Sequence, residues 1–200
     1  MHEEERLLRE LFEGVQYDPN LFKLYVSADK YIMGYMSADP DYNPDKSFFV
    51  YKTLYDTIVD LDRKIKKSFD LALRWEYSSN IDKFNMVGLP SAEEEEAIYY
   101  TENAVFRTSA LWDLLAQLYN VKHKRNNNPD KVYYSQLFHN DAQGKHPNPL
   151  AQQIYAYITE DEVEDRVYEK DDFWLGNHKY VKASEFIKLM LEEIISGFDE

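Results

Sequence analysis

The chain has 200 residues, a formal net charge of −14 and no cysteine. An acidic chain repels phosphates, so this charge argues against non-specific nucleic-acid binding, and the lack of cysteine excludes disulfides and cysteine-based metal sites. Hydrophobic residues make up 44% of the sequence and glycine occurs six times, which favours a folded helical protein over a disordered chain or a turn-rich sheet.

The first helices are marked by apolar spacing and by Asx-Pro pairs, in which Asn or Asp caps a helix and proline takes its first position. We predict a short helix from Glu3 to Glu13 and a second from Pro19 to Met36. A long third helix is predicted from Pro44 to Ser78, because apolar residues recur from Tyr51 onward at the spacing of one helical face.

A second long helix is predicted from Ala92 to Lys124, and the sequence from Ser91 to Glu94 has the form of a capping box at its start. The loop before it has roughly ten residues, which favours an antiparallel arrangement of the two long helices. Shorter helices are predicted over residues 129–140, 149–160 and 183–196. Residues 161–182 are the least decided region, and a short helix followed by a loop is expected there.

These elements predict an all-α fold, a helical bundle built on two long antiparallel helices at about 44–78 and 92–124. We expect one domain over residues 1–200, with a core at about 44–197 and the N-terminal helices, 3–36, packed on it. Since no stretch resembles a signal peptide or is apolar for the length of a membrane span, a cytoplasmic protein without a membrane partner is expected.

Four polar residues interrupt the apolar segment from Tyr99 to Asn120, namely Glu102, Asn103, Arg107 and Asp113. Glu102 shares a heptad-like run with apolar positions, so it is expected to point towards the core. Two interpretations stay open for Glu102 and Arg107. They are structural groups paired with neighbouring helices, or they line a groove that binds phosphate or positions a proton.

Two further segments carry candidate residues. Lys122, Lys124 and Arg125 belong to a compact basic run, which either complements a helix C-terminus or contacts a small anion or RNA. His178, expected in a loop, is the histidine best placed for acid–base chemistry. No histidine follows a glutamate at the spacing of a di-metal bundle and no glycine-rich phosphate loop occurs, so we expect neither a metal nor a cofactor.

The polar pattern of the second long helix resembles a bacterial branch of the HEPN superfamily, over about Pro44 to Gly197. The resemblance implies a small helical domain that commonly acts as a dimer. Active HEPN domains are metal-independent ribonucleases in which an arginine is followed, four to six residues later, by a histidine. The histidine serves acid–base chemistry and the arginine stabilises phosphate charge. This sequence has no arginine and histidine at that spacing.

We therefore predict a non-catalytic HEPN-like domain that acts through protein–protein interaction or through nucleotide or RNA binding, as a homodimer or with a protein partner. Its predicted binding residues are Asn103, Arg107, Asp113, Lys122, Lys124 and Arg125. The alternative is a metal-independent ribonuclease with a rearranged site formed by His178, Arg166 or Lys170, and Glu102. A third possibility is a plain helical scaffold in which Glu102 and Arg107 are buried structural pairs.

Overall fold

The computed structural model of the chain describes residues 3–18, 21–22, 46–78, 90–125, 127–167 and 172–196. For residues 46–48, 129, 160–167 and 172–175 it describes the backbone alone. Over the described residues the chain is 83% helical and has no strand, so the predicted all-α bundle is confirmed.

Six α-helices form the described part of the chain, and a 3-10 turn covers Pro129–Lys131. In chain order they are α1 (Glu3–Glu13), α2 (Lys46–Glu76), α3 (Ala92–Lys122), α4 (Tyr134–Gln143), α5 (Pro149–Val167) and α6 (Asp172–Ser196). The bounds of α1, α2 and α3 agree with the prediction to within two residues. The predicted helix from Pro19 to Met36 lies outside the described residues.

The capping box at the start of α3 is present as predicted. The Glu94 backbone N–H donates to Ser91 Oγ at 3.2 Å, and the Ser91 backbone N–H donates to Glu94 Oε2 at 2.5 Å. These two bonds satisfy backbone donors that have no partner within the helix, which fixes where α3 begins.

The second half of the chain contains more helix than predicted. α5 continues to Val167 and α6 begins at Asp172, so most of the undecided region is helical. The predicted loop around His178 is wrong. The helix continues through Gly176. Glycine is needed there for packing, since a Cβ would lie 2.9 Å from Val105 Cγ2 of α3, and the absence of that Cβ allows the close approach of α6.

The described helices share one hydrophobic cluster, to which all six contribute. α3 lies at its centre and packs mainly against α2 and α6. Thr53 of α2 lines a cavity with Gln117 of α3, whereas Ser68 of α2 contacts Arg107 of α3. The contacts therefore run in opposite order along α2 and α3, as an antiparallel pair requires.

The remaining helices close the bundle around this pair. α1 is held against α6 by Asn177 Nδ2, which donates to the Leu8 carbonyl at 2.9 Å, and against α2 by an ion pair between Arg9 and Asp70. α4 and α5 pack on each other, and each contacts the second half of α3: Phe138 of α4 lies against Tyr119, and Tyr157 of α5 stacks on Trp112. Of the helices described here, none combines the length and apolarity that crossing a membrane would require.

Candidate functional site

The two halves of α3 lie in different environments. The second half is buried at Trp112, Leu115 and Tyr119, where α4, α5 and α6 cover it. The first half is buried at Ala97 and Ala104 but exposed on the opposite face, where Glu102 lies. The expectation that Glu102 points towards the core is therefore wrong, because none of the described helices covers its side chain.

Large apolar side chains lie beside Glu102 on this open face. Ile98 is 53% exposed, Tyr99 is 57% exposed and Phe106 is 73% exposed. Residues three, four and seven apart share one side of a helix, so these side chains form a continuous surface with Glu102 in its middle. We call Ile98, Tyr99, Glu102 and Phe106 the α3 strip.

Arg107 and Asn103 make contacts that tie them to the fold. The Arg107 guanidinium donates to Ser68 Oγ of α2, and Ser68 Oγ donates in turn to the Lys64 carbonyl at 3.0 Å. Asn103 Nδ2 donates to the Tyr99 carbonyl of its own helix at 2.8 Å. Of the two interpretations, the structural one fits Arg107, since its partner is a buried hydroxyl on the neighbouring helix.

Asp113 contacts the beginning of α4. Its Oδ1 accepts a hydrogen bond from the Tyr134 backbone N–H at 3.3 Å, and the residue at the N-cap, Tyr133, supplies no side-chain cap of its own. Burial raises the pKa of the Asp113 carboxyl, and the bond from Tyr134 opposes that rise. Asp113 therefore acts as a helix cap supplied by a neighbouring helix.

The basic run at the end of α3 is divided between different partners. Lys122 forms an ion pair with Glu193 of α6, and Arg125 Nε lies 2.7 Å from Asp141 Oδ2 of α4. Lys124 is exposed and has a positive φ of 50°, which turns the chain sharply after the helix. The run thus serves several packing contacts and does not form one converging anion site.

Asn120 fixes the loop that carries Arg125. Its Nδ2 donates to the Asn127 carbonyl at 3.1 Å, and its Oδ1 accepts from the Asn127 N–H at 3.2 Å. The Arg125 N–H donates to the Asn120 carbonyl at 3.0 Å. These three bonds hold the loop against the helix end and direct Arg125 towards Asp141.

Two polar side chains, Tyr119 and His123, lie next to the ion pair between Arg125 and Asp141. The rings of Tyr119 and His123 lie 4.3 Å apart between centroids, and the Tyr119 hydroxyl lies within reach of Asp141 and Arg125. Burial raises the pKa of the Tyr119 hydroxyl to about 12, and Asp141 adds to that rise. Burial also lowers the pKa of His123, and the charges of Lys122 and Arg125 lower it further. We call Tyr119, His123, Arg125 and Asp141 the Tyr119 cluster.

Sequence reasoning missed Tyr119, His123 and Asp141 as members of one group. Tyr119 and His123 are four residues apart in a helix, a spacing that brings side chains together, and this signal was available. The approach of Asp141 depends on how α4 folds back on α3, which no local pattern reveals.

His178 and Glu102 do not converge. Gly176 faces Val105 of α3, and His178 follows two residues later, about 200° around α6. His178 is therefore turned away from α3, while Glu102 lies on the open side of that helix. Arg166 lies in α5, but its side chain lies outside the described atoms, and Lys170 lies outside the described residues.

Comparison with known proteins gave no match, either to a protein-family model, to a curated protein or to a solved structure. Among the described residues, no group of three or more His, Asp or Glu side chains is placed to hold a metal ion. The HEPN-like identity, the bacterial origin, the cytoplasmic location and the dimeric state stay predictions from the sequence.

Proposed function

We propose that this chain is a non-catalytic, HEPN-like helical binding domain that docks a protein partner on the α3 strip. The observation that carries the proposal is the exposure of Ile98, Tyr99 and Phe106 on one helical face. Contiguous exposed apolar side chains on a folded protein mark surfaces that bind other molecules. Aromatic residues at the centre of such a surface supply much of the binding energy in protein interfaces.

Charge favours a protein over nucleic acid at this face. Glu102 lies within the α3 strip, and Glu95 and Glu96 are exposed one to two turns before it. Carboxylates repel phosphates, so this surface opposes RNA or a nucleotide. A partner with apolar side chains and a lysine or arginine opposite Glu102 matches both the shape and the charge.

A second copy of the chain is the competing occupant, as the family resemblance implies a dimer. Two α3 strips that meet across a twofold axis near Glu102 would bring two like charges together. The net charge of −14 adds long-range repulsion between copies. A partner of opposite charge therefore fits the strip better than a self-association does.

The test places a photo-crosslinking amino acid at Phe106 in the full chain, with the exposed Arg63 of α2 as the matched control position. Crosslinked partners specific to position 106 are identified and then purified. With the purified partner, Phe106→Ala is expected to weaken binding by roughly tenfold or more, and Glu102→Lys more than Glu102→Gln. Equal binding by Phe106→Ala and the unmodified chain would overturn the proposal.

Sedimentation of the purified chain alone measures its oligomeric state, and so tests whether a second copy occupies the α3 strip. We expect a monomer, whereas a dimer that Phe106→Asp dissociates would show that the strip binds a second copy.

The alternative function is a metal-independent ribonuclease with a rearranged site. The observation that favours it is the Tyr119 cluster, which groups a histidine, an arginine and a carboxylate. Its His123 Nε2 is buried, so RNA would reach it only after the structure around it opened. Metal-free RNA cleavage that is lost in His123→Ala or His178→Ala would replace the binding proposal with this one.

A further inference from the structure

An open groove of about 380 Å³ lies between the beginning of α2 and the end of α3. Its apolar lining residues are Phe49, Val50 and Leu54 of α2 and Val121 of α3, and none of its described lining residues is charged. We call these four residues the α2–α3 groove. It shares no residue with the α3 strip, so its occupant is independent of the proposed partner there.

The groove presents apolar surface beside the core. Leu54 and Val121 are partly buried against the hydrophobic cluster, whereas Phe49 is 45% exposed and Val50 is 43% exposed. Exposed apolar side chains that line a concave surface mark a place where another element docks. Because this surface is open along one side, it fits a chain segment laid across it better than an enclosed small molecule.

The chain leaves the described structure and returns to it beside this groove. Phe22 is 4% exposed, and its ring lies 5.3 Å from that of Tyr55 of α2, whose hydroxyl donates to the Asp18 carbonyl at 2.6 Å. The next described residue is Lys46, the first of α2. Tyr55 and Lys46 lie about 14 Å apart along the helix axis, and the part of α2 that lines the groove lies between them.

Residues 23–45 are therefore attached at both ends to the helix that forms one wall of the groove. A tethered segment meets a neighbouring site at an effective concentration on the order of millimolar. An external partner at lower concentration competes poorly with such a segment. This attachment favours a segment of the chain itself as the occupant.

The sequence of this segment supplies a matching apolar face. Within the predicted helix from Pro19 to Met36, Leu24, Ala28, Ile32 and Tyr35 recur at the spacing of one helical side. None of these four residues is charged, as none of the described groove residues is. An amphipathic helix that lays its apolar face into an apolar groove is a common mode of recognition.

We infer that the apolar face of residues 24–35 docks into the α2–α3 groove and covers Phe49 and Val50. The groove is then an internal docking site, filled by the chain that precedes α2. In the full chain the α3 strip stays open to a protein partner while this second apolar surface is covered.

The test places a photo-crosslinking amino acid at Phe49 in the full purified chain, and mass spectrometry locates the crosslinks. The matched control is Trp75, which is 36% exposed near the other end of α2, about 39 Å away along the axis. Intrachain crosslinks to residues 24–36 are expected from position 49 and not from position 75. Crosslinks confined to the residues just before α2, or formed between two copies, would overturn the inference.

A pair of variants tests the apolar face. Ile32→Gln places an amide on this face, whereas Lys30→Gln changes the opposite side of the predicted helix and is the matched control. Ile32→Gln should lower the intrachain crosslink yield several-fold and shift the methyl NMR signals of Val50 and Val121. The signal of Ile154, buried in α5, should stay in place and so report an intact core. Equal effects of the two variants on the yield and on the groove signals would contradict the docking.

Discussion

The hydroxyl of Tyr180 on α6 donates a hydrogen bond to the carboxylate of Asp62 on α2, and both residues are buried. The same carboxylate lies 3.2 Å from the ammonium group of Lys66, which also donates to the Val15 carbonyl at 2.5 Å. Burial raises the pKa of the Tyr180 hydroxyl, and Asp62 raises it further, so Tyr180 stays a donor. This pair joins two helices on either side of the core.

Tyr180→Phe should lower the free energy of unfolding by about 1–3 kcal/mol, because it leaves a buried carboxylate oxygen without its donor. Urea denaturation measures the change. The matched control is Tyr133→Phe, which removes the hydroxyl of an exposed tyrosine and should have little effect. Equal stabilities of the two variants would show that the bond contributes nothing.

Gly176→Ala should destabilise the protein by about 1 kcal/mol, since its Cβ would meet Val105 Cγ2 at 2.9 Å and valine has little rotamer freedom in a helix. In a Val105→Ala background, the same change should become stabilising by up to about 1 kcal/mol. Alanine is the better helix former, and the obstacle is then absent. Thermal unfolding of the four proteins gives the coupling energy, and an unchanged sign would refute the proposed contact.

Asp113 should make stability fall as pH rises from its ordinary pKa of 3.8 through its raised pKa in the folded state. The folded protein holds this proton more tightly than the unfolded chain does, so ionisation of Asp113 lowers the free energy of unfolding. Asp113→Asn keeps the acceptor for the Tyr134 N–H and removes the charge. Its stability relative to the unmodified protein should therefore increase over this range and stay constant above it.

Asp113→Ala gives the contribution of the cap itself. It should lose about 0.5–2 kcal/mol, because the Tyr134 N–H loses its acceptor. A pH series of thermal unfolding measures both variants, and parallel curves for Asp113→Asn and the unmodified protein would contradict the raised pKa.

His123 should affect stability in the direction opposite to Asp113, so that stability falls as pH decreases. Its pKa is lowered below 6.5, chiefly by burial, so its contribution to stability is complete above that pH and is lost as pH falls through the folded pKa. His123→Gln should remove this dependence. In an NMR titration of the imidazole, Arg125→Gln should raise the pKa, whereas Lys131→Gln, an exposed cation, is the control. A pKa unaffected by Arg125→Gln would contradict the contribution of the cluster.

The sequence alone predicted the helices whose ends are marked by local residue patterns. The bounds of α2 and α3 followed from apolar spacing and from the capping box at Ser91. The start of α6 did not, because Gly176 and the polar residues beside it read as a loop. The contact with Val105 that makes glycine useful within the helix is visible only in the fold.

The candidate surfaces could not be predicted from the sequence either, because they depend on how the helices pack together. The apolar segment from Tyr99 to Asn120 predicted that Glu102 points towards the core, yet the spacing of apolar residues does not say where the neighbouring helices end. Glu102 was the residue that contradicted burial, and it lies at the centre of the exposed strip. The Tyr119 cluster needed Asp141, which joins it only through the return of α4.

The length of α3 has a practical consequence for engineering. Phe106 and His123, the residue that follows the helix at its C-terminal end, lie about 26 Å apart along the axis. Substitutions more than roughly 7–10 Å apart that share no partner add in free energy. The part of α3 that carries Phe106 can therefore be redesigned to bind a new partner, while the end near His123 is altered to change acid tolerance. Neither set of substitutions should need compensating changes in the other.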